Sequence, residues 1–298
     1  MPADAVLDDL REVADDHVRT AGEDDGIGGT PARFVATPTS TAQTAELLRV
    51  AARHGMHVVA RGAGTKQNWG LPPRALDLVV DTALLSGVVE HAAGDLVAVV
   101  RSGTRMSELQ DRLATAGQQL ALDTPLDAAT LGGTVATNTS GPRRLLYGTM
   151  RDLLIGITFV RADGVVARAG GKVVKNVAGY DFGKLLTGSY GTLGVITEVA
   201  LRLHPLPRAR QAVSVRTAGG AAAADAALRV VRSQVVPSAV EIDQPADGTA
   251  TVTVLVEGVE AGVARRAEAV QELLGPDGVA GDVRTGSAPS PSAPATSG

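Results

Sequence analysis

The chain has 298 residues, of which 44% are hydrophobic, and it carries a formal net charge of −4. This length and composition suit one large domain plus a smaller one. Few aromatic residues and no basic block argue against a nucleic-acid-binding protein, and the absence of cysteine excludes disulfides, thiolate metal sites and iron–sulfur clusters on this chain.

The N-terminal segment, residues 1–29, is acidic and contains Gly26, Gly28 and Gly29. Its pattern predicts an amphipathic helix followed by a loop, and the favoured interpretation is a solvated leader without a chemical role. This start lacks the features of a secretion signal, and no apolar run approaches the roughly 20 residues of a membrane span. We therefore expect a cytoplasmic protein that reaches a membrane only through partners.

The first clear helix is predicted to begin at Ser40, because Ser40 and Gln43 have the spacing of a capping box. Its end is predicted at Gly55, a residue type common just after a helix. The predicted apolar stripe consists of Ala45, Leu48 and Ala52.

Strands alternate with helices in the next part of the chain. Strands are predicted at 56–60, 76–80, 88–91 and 96–101, and Thr104 is predicted to cap a helix that runs to about Ala116. Two strand-like runs around Asp163 and Gly164 predict a hairpin, and a long strand is expected from about Val195. This alternation is typical of α/β layers.

The chain changes character after residue 206. Residues 207–282 contain two predicted helices, 221–232 and 261–274, and one predicted strand, 251–256, which suggests a short C-terminal α+β region. Residues 283–298 are dominated by Ser, Pro and Ala, so a disordered tail is expected.

The stretch from Arg61 to Lys66 is the first candidate binding element. A diphosphate needs several converging N–H donors, and Gly62 and Gly64 with small neighbours allow such a concave backbone. Arg61 and Lys66 are expected to add positive charge at the rim. The stretch is neither a Walker A sequence nor Gly-x-Gly-x-x-Gly, so taken alone an ordinary glycine turn is the favoured interpretation.

Two further segments are rich in small residues. Thr130 is predicted to cap a short helix whose exposed N–H groups favour an anion, although close helix packing explains Gly132 and Gly133 equally well. In the second segment, the amides of Gly191 and Gly194 are expected to be free to hydrogen-bond a planar ring.

No metal site or catalytic group is evident from the sequence. The five histidines are scattered, and His54 and His57 straddle a helix end without a partnering carboxylate. No Gly-x-Ser-x-Gly element is present. A nicotinamide-binding fold ranks last among the interpretations, because its strand, Gly-x-Gly-x-x-Gly, helix order is absent.

Four segments, taken together in their order along the chain, indicate a protein family far more specifically than any one of them does alone. The sequences of 61–66, 125–133, 175–181 and 188–198 together resemble the FAD-binding domain of the vanillyl-alcohol oxidase type, also called the PCMH type. Within that family, 141–144 and 175–181 look most like the FAD-binding subunit of glycolate oxidase. The resemblance covers about residues 30–206.

The resemblance implies an α+β fold in which a FAD-binding PCMH-type domain of two α/β subdomains, residues 30–206, holds FAD between them. The flavin is expected to be dissociable, because the loop lacks histidine and the chain lacks cysteine. The residues implied to contact FAD are Arg61, Gly62, Ala63, Gly64, Thr65, Lys66, Pro125, Ala129, Thr130, Gly132, Gly133, Asn138, Ser140, Gly191, Gly194 and Ile196.

The implied activity is FAD-dependent oxidation of a small 2-hydroxy acid such as glycolate. The implied partners are a larger flavoprotein subunit and an iron–sulfur subunit, to which electrons pass. The chain departs from the family pattern after residue 206, where relatives usually have a longer domain that supplies substrate-binding residues, so no catalytic residue is identified. The alternative is a non-catalytic flavin-binding or assembly subunit.

Overall fold

The computed structural model describes residues 3–124, 126, 128–171, 180–275 and 279–282. The fold is α+β, and the chain divides into two compact units. Unit 1 contains residues 1–120, 126–139 and 150–204, and unit 2 contains residues 121–125, 140–149 and 205–298. Two short segments from the middle of the chain therefore belong to the same unit as its C-terminal part.

The helices that the structure describes are α1 (Ala3–Ala14), α2 (Thr41–Arg53), α3 (Met106–Ala114), α4 (Leu131–Thr137), α5 (Arg144–Tyr147), α6 (Met150–Leu153), α7 (Phe182–Leu186), α8 (Gly220–Val231) and α9 (Glu260–Leu274). The strands are β1 (Val18–Thr20), β2 (Phe34–Ala36), β3 (Val58–Arg61), β4 (Leu78–Asp81), β5 (Val88–Ala92), β6 (Val97–Arg101), β7 (Gln118–Gln119), β8 (Leu154–Val160), β9 (Val166–Gly170), β10 (Val195–Arg202), β11 (His204–Pro205), β12 (Ala209–Thr217), β13 (Ala239–Asp243), β14 (Ala250–Gly258) and β15 (Val279–Asp282). Within the described ranges, no helix is long and apolar enough to cross a membrane.

Unit 1 begins with a four-stranded sheet of order β1-β2-β4-β3. Strands β2, β4 and β3 are parallel, and β1 is antiparallel to β2. Side chains alternate between its faces, so Leu78 and Val80 pack with helices α1 and α2 while Val79 packs on the opposite side. The register aligns Arg61 with Asp81, which places the loop after β3 at the carboxyl edge of the parallel strands.

The N-terminal segment is part of this core, and its interpretation as a solvated leader is wrong. Val6 and Leu10 on α1 are buried in the same hydrophobic cluster as Leu47 of α2. Because apolar residues recur at i and i+4 along α1, one face of the helix covers the sheet while its acidic face meets solvent. The predicted amphipathic helix is therefore present, and only its assignment to solvent is wrong.

Two helix starts test the capping predictions. Ser40 caps α2, and its hydroxyl accepts a hydrogen bond from the Gln43 amide at 3.1 Å, as predicted. Thr104 does not cap α3; Arg105 occupies the N-cap position, and the Thr104 hydroxyl accepts from the Gly87 amide at 2.9 Å. The predicted stripe of α2 is also partly wrong, because Ala52 is exposed.

A five-stranded antiparallel sheet of order β5-β6-β10-β8-β9 completes unit 1. The predicted hairpin is confirmed, since β8 and β9 pair from Gly156 with Gly170 to Val160 with Val166. The predicted long strand is β10, which lies between β6 and β8. Being central, it is buried along most of its length.

Unit 2 is built on a four-stranded antiparallel sheet of order β13-β14-β12-β15, with α8 and α9 packed against it. The two predicted helices and the predicted strand are present within α8, α9 and β14. Strand β12, which pairs with β14 from Ala209 with Gly258 to Thr217 with Ala250, was missed. Its interrupted, arginine-containing pattern hides the alternation that normally indicates a strand.

Candidate functional site

The loop that follows β3 presents unpaired backbone donors. The amides of Gly62, Ala63, Gly64 and Thr65 donate to no acceptor within the part of the chain that the structure describes. Consecutive N–H groups without acceptors are costly when shielded from water, and in a concave turn they form an anion-binding nest. The loop therefore has the donor set that a phosphate group requires.

Two glycines give this loop its shape. A Cβ on Gly62 would collide with the Oγ1 of Thr130, so the chain passes Thr130 at a distance that only glycine permits. Gly64 has φ +73°, in the left-handed region that side chains rarely adopt, and no atom lies within 4 Å of its Cβ direction. The loop is thus packed against Thr130 at one end and open at the other.

The open side of the loop faces a cleft of about 590 Å³ within unit 1. Its walls come from the loop itself, from the end of β4 and from the N-terminal segment. The lining residues are Asp24, Gly26, Ile27, Gly28, Arg61, Gly62, Ala63, Gly64, Thr65, Gln67, Asn68 and Asp81.

The expected free positive charge at the rim is not what the structure contains. The Arg61 guanidinium is bound by two carboxylates, at 3.1 Å from Asp25 and 3.0 Å from Asp81. Lys66 does not line the cleft; its side chain is buried, with Nζ 5.8 Å from the centre of the Trp69 ring. Both cationic side chains are present, but Arg61 is held in ion pairs and Lys66 is buried, so neither projects freely into the cleft.

Lys66 is nevertheless an unusual group. In the described ranges its ammonium forms no hydrogen bond or ion pair, and burial lowers its pKa below the ordinary value for lysine. In those ranges the ammonium makes a cation–π contact with the Trp69 ring. A buried cation without a carboxylate is stabilised by any anion that binds beside the loop.

The short helix α4 differs from the prediction of exposed amides. Thr130 is its N-cap, as predicted, but the Leu131 amide donates to the Thr104 carbonyl at 2.9 Å. The Gly132 amide donates to the Ser102 carbonyl at 2.7 Å, and the Gly133 amide to Thr130 Oγ1 at 3.4 Å. These donors are therefore used in packing and are not available to an anion.

The C-terminal end of α4 meets the second small-residue segment. Asn138 ends the helix in the left-handed conformation with φ 50°, and the amides of Gly188 and Tyr190 donate to the Val135 and Ala136 carbonyls at 3.1 and 2.8 Å. Helix α4 thus joins the loop at Gly62 to the segment around residue 190. The sequence-predicted elements 61–66, 130–138 and 188–191 are brought together around it.

The other residues predicted to contact FAD differ in their burial and in whether their backbone groups are hydrogen-bonded. The amides of Gly191 and Gly194 donate to no acceptor in the described ranges, whereas Ile196 is buried in β10. Ala129 is buried, and its carbonyl accepts from the Met106 amide. Ser140 belongs to unit 2, where its carbonyl accepts from the Asp123 amide at 3.4 Å. Pro125, residues 175–179 and the tail predicted to be disordered, residues 283–298, lie outside the described residues.

Sequence reasoning missed the acidic part of the cleft. Asp24 and Asp81 line it, and Asp25 is buried behind it with Arg61. A signal was available for Asp81, because an acid ending a strand that is parallel to β3 faces the residue that ends β3. Asp25 gave no signal, since its approach depends on how the N-terminal loop folds back.

The donor set suits an organic diphosphate better than a metal ion. Four unpaired amides within one loop match phosphate oxygens, which are acceptors. His54 and His57 do have carboxylate partners, contrary to expectation: Asp9 lies 2.6 Å from His54 Nε2 and Asp77 lies 3.0 Å from His57 Nδ1. In the part of the chain that is described, no group of three or more histidine or acidic side chains is placed to hold a metal ion. These residues therefore fit the diphosphate of a dinucleotide cofactor such as FAD.

Comparisons with known proteins agree with this geometry. Residues 32–170 match the family model described as "FAD binding domain". The chain is 31% identical over 238 residues to the glycolate oxidase subunit GlcD of Bacillus subtilis, which covers 79% of this chain and 50% of that protein. It is 39% identical over 154 residues to the glycolate oxidase subunit GlcE of Escherichia coli, covering 51% of this chain and 43% of that protein.

The solved structure of p-cresol methylhydroxylase with substrate bound has the same fold, with a TM-score of 0.75 over 94% of this chain and 65% of that one at 16% identity. The chain spans about half the length of the curated relatives it matches. The predicted recognition and fold class are both confirmed by these matches. The chain contains a FAD-binding domain, residues 32–170, and is similar to FAD-binding oxidoreductases of the PCMH type.

Proposed function

We propose that this chain binds FAD non-covalently as part of an oxidoreductase that oxidises a small 2-hydroxy acid and passes the electrons to a partner. The observation that carries the proposal is the row of unpaired amides from Gly62 to Thr65, held open beside Thr130. Main-chain donors that are already fixed bind a diphosphate without the loss of conformational entropy that ordering a flexible side chain would require.

Each structural group has a separate part in binding. The loop amides hold the diphosphate, and buried Lys66 adds a positive potential behind them. Gly191 and Gly194 have amides available for the remainder of the cofactor. When bound, FAD supplies the two-electron acceptor for substrate oxidation, while the chain orients it and tunes its environment.

The substrate class rests on the relatives. Both curated relatives described above are named as glycolate oxidase subunits, and glycolate is a 2-hydroxy acid. Their being subunits supports a complex in which a larger flavoprotein subunit and an iron–sulfur subunit accompany this chain. Because these 298 residues contain no cysteine, any thiolate-bound cluster of that complex lies outside them.

The test begins with the cofactor and continues with the substrate. The purified chain, stripped of ligand, is titrated with FAD while flavin fluorescence and absorbance are followed. We expect a saturable, reversible complex that releases FAD on denaturation. Failure to bind FAD, in protein shown by circular dichroism to be folded, would contradict the proposal.

The second step is anaerobic addition of glycolate or D-lactate to the FAD complex. Bleaching of the flavin band by the chain alone identifies it as catalytic. The alternative is a flavin-binding or assembly subunit without turnover of its own. In that case bleaching requires the partner chains.

A further inference from the structure

An ion-pair cluster stands at the junction between the phosphate loop and the N-terminal segment. Asp81 Oδ2 lies 3.2 Å from Nε and 3.0 Å from Nη2 of Arg61, and Asp25 Oδ1 lies 3.1 Å from the same Nη2. Asp25 also accepts from both terminal nitrogens of Arg19, at 2.6 and 2.9 Å, and from the Gly22 amide at 2.8 Å. The cluster thus joins β3, β4 and the turn that ends at Asp25.

The cluster is largely removed from solvent. The side chains of Arg61 and Asp81 are each 17% exposed and that of Asp25 is 8% exposed, whereas Arg19 is 56% exposed. Hydrogen bonding to the Arg19 guanidinium holds the pKa of Asp25 well below its usual range. Asp25 is therefore charged at neutral pH, and its contacts hold it in one geometry beside Arg61.

The N-terminal segment that carries Asp25 also forms a wall of the cleft. Asp24, Gly26 and Ile27 line the cleft together with the loop residues. Ile27 is buried in the same hydrophobic cluster as Val79 of β4, and this packing anchors the N-terminal segment to the sheet. Its near side is fixed to the loop by the contact between Asp25 and Arg61.

We infer that Arg61 is a positioning residue and not a phosphate ligand, and that Asp25 and Asp81 use it to hold the N-terminal segment as the wall of the FAD site opposite the loop. This inference rests on the proposed function. A guanidinium shared between two carboxylates presents little net charge to the cleft. Its planar fork instead fixes the distance between the segments that carry those carboxylates.

The two roles of Arg61 predict opposite effects of one substitution. Asp25→Asn keeps the shape of the side chain and removes its charge. If Arg61 positions the wall, D25N loosens the wall and raises the Kd for FAD about tenfold. If Arg61 binds phosphate, D25N frees the guanidinium and leaves FAD binding unchanged or tighter.

The experiment measures the Kd for FAD of the full chain, freed of ligand, for wild type, D25N, R61Q, R61K and the double variant D25N/R61Q. We expect D25N, R61Q and R61K to weaken binding to a similar extent, because lysine keeps the charge but lacks the fork. The double variant is expected to be no weaker than R61Q, since both changes break the same contact. Retention of wild-type affinity by R61K would overturn the inference.

The salt dependence of the Kd separates positioning from direct charge contact. Wild type and D25N/R61Q carry the same net charge in the cluster and are expected to share the same slope of log Kd against log salt concentration, because neither has a guanidinium on the phosphate. A shallower slope in D25N/R61Q would show a direct contact and overturn the inference. Arg19→Gln, which removes only the exposed outer arm of the cluster, gives a milder test if R61Q fails to fold.

Arg33→Gln is the matched control. Arg33 pairs with Asp77 at 3.0 Å in the same unit, but neither residue lines the cleft. Its Kd for FAD is expected to equal that of wild type. A wild-type chain that binds no FAD would contradict the proposed function, whereas wild-type binding with an unchanged D25N would contradict this inference alone.

Discussion

Two glycine-containing segments of unit 1 differ sharply in how their backbone donors are used. The amides of the loop from Gly62 to Thr65 have no acceptors in the described part of the chain. By contrast, the amides in the first turn of α4 donate hydrogen bonds to Thr104, Ser102 and Thr130. Both segments combine glycine with a small hydroxyl residue. Composition indicates close backbone approach in each case, but only the surrounding structure decides whether protein or ligand approaches.

The difference follows from what lies opposite each segment. Helix α4 begins beside Ser102 and Thr104, whose carbonyls follow strand β6 and need donors. The loop after β3 packs against Thr130 at Gly62 and borders the cleft on its open side. Substitutions in the loop should therefore change ligand affinity, and substitutions in α4 should change stability.

The largest effect is expected for Gly64→Val. A β-branched residue at φ +73° is strained and places its side chain toward the cleft. We expect the Kd for FAD to rise by about 100-fold or more while the folded chain persists. Gly70→Val, at an open position without positive φ and outside the cleft lining, is the control and should bind FAD normally. Wild-type flavin content in G64V would contradict the assignment of the loop.

Gly132→Ala tests the other side of the comparison. The new Cβ would lie 2.7 Å from the Cβ of Ser102, which forces a shift between α4 and the segment after β6. The free energy of unfolding of the ligand-free chain should fall by about 2 kcal/mol, measured by denaturant titration, with little change in FAD affinity. Gly94→Ala, which meets no atom within 4 Å, is the control. A large loss of FAD affinity at unchanged stability would break the comparison.

Lys66→Met tests the buried ammonium. We expect the variant to bind FAD about tenfold more weakly at neutral pH, because it lacks the cation behind the amides. In wild type the lowered pKa of Lys66 means that the ammonium is lost earlier as pH rises, so FAD affinity should fall on the alkaline side and remain flatter in K66M. Titrations between about pH 7 and pH 10 measure this difference.

The control for this change is Lys184→Met, which removes a lysine whose side chain is 72% exposed. Its affinity and pH profile should match those of wild type. Identical profiles for wild type and K66M would show that the ammonium does not act on the cofactor.

The smallest effect is expected for Thr130→Ala. The variant loses the hydroxyl that caps α4 through the Gly133 amide, which should cost about 1 kcal/mol of stability. It also removes the atom that a Cβ at Gly62 would strike. G62A/T130A should therefore bind FAD better than G62A alone, and equal binding by the two would refute the packing of Gly62 on Thr130.

Much of the fold could be predicted because its signals are local. Ser40 and Gln43 mark the start of α2, and the turn at Gly164 marks the hairpin of β8 and β9. Strand β12 was missed because arginine and glutamine interrupt its apolar alternation, whereas its partner β14 alternates clearly and was predicted. The burial of α1 was missed because acidic composition outweighed its apolar face.

The sequence by itself determined many of the helices and strands, the positions of the glycine-rich segments and the family that they resemble, since periodicity, turn residues and ordered motifs are all properties of short stretches. The tertiary structure alone decided which amides remain free and which charges are neutralised. Arginine is a residue type that commonly binds phosphate, yet the Arg61 guanidinium forms ion pairs with Asp25 and Asp81, which come from separate segments. Hydrogen bonds and ion pairs form between groups that folding brings together, so their pairing is absent from the local sequence around any one of them.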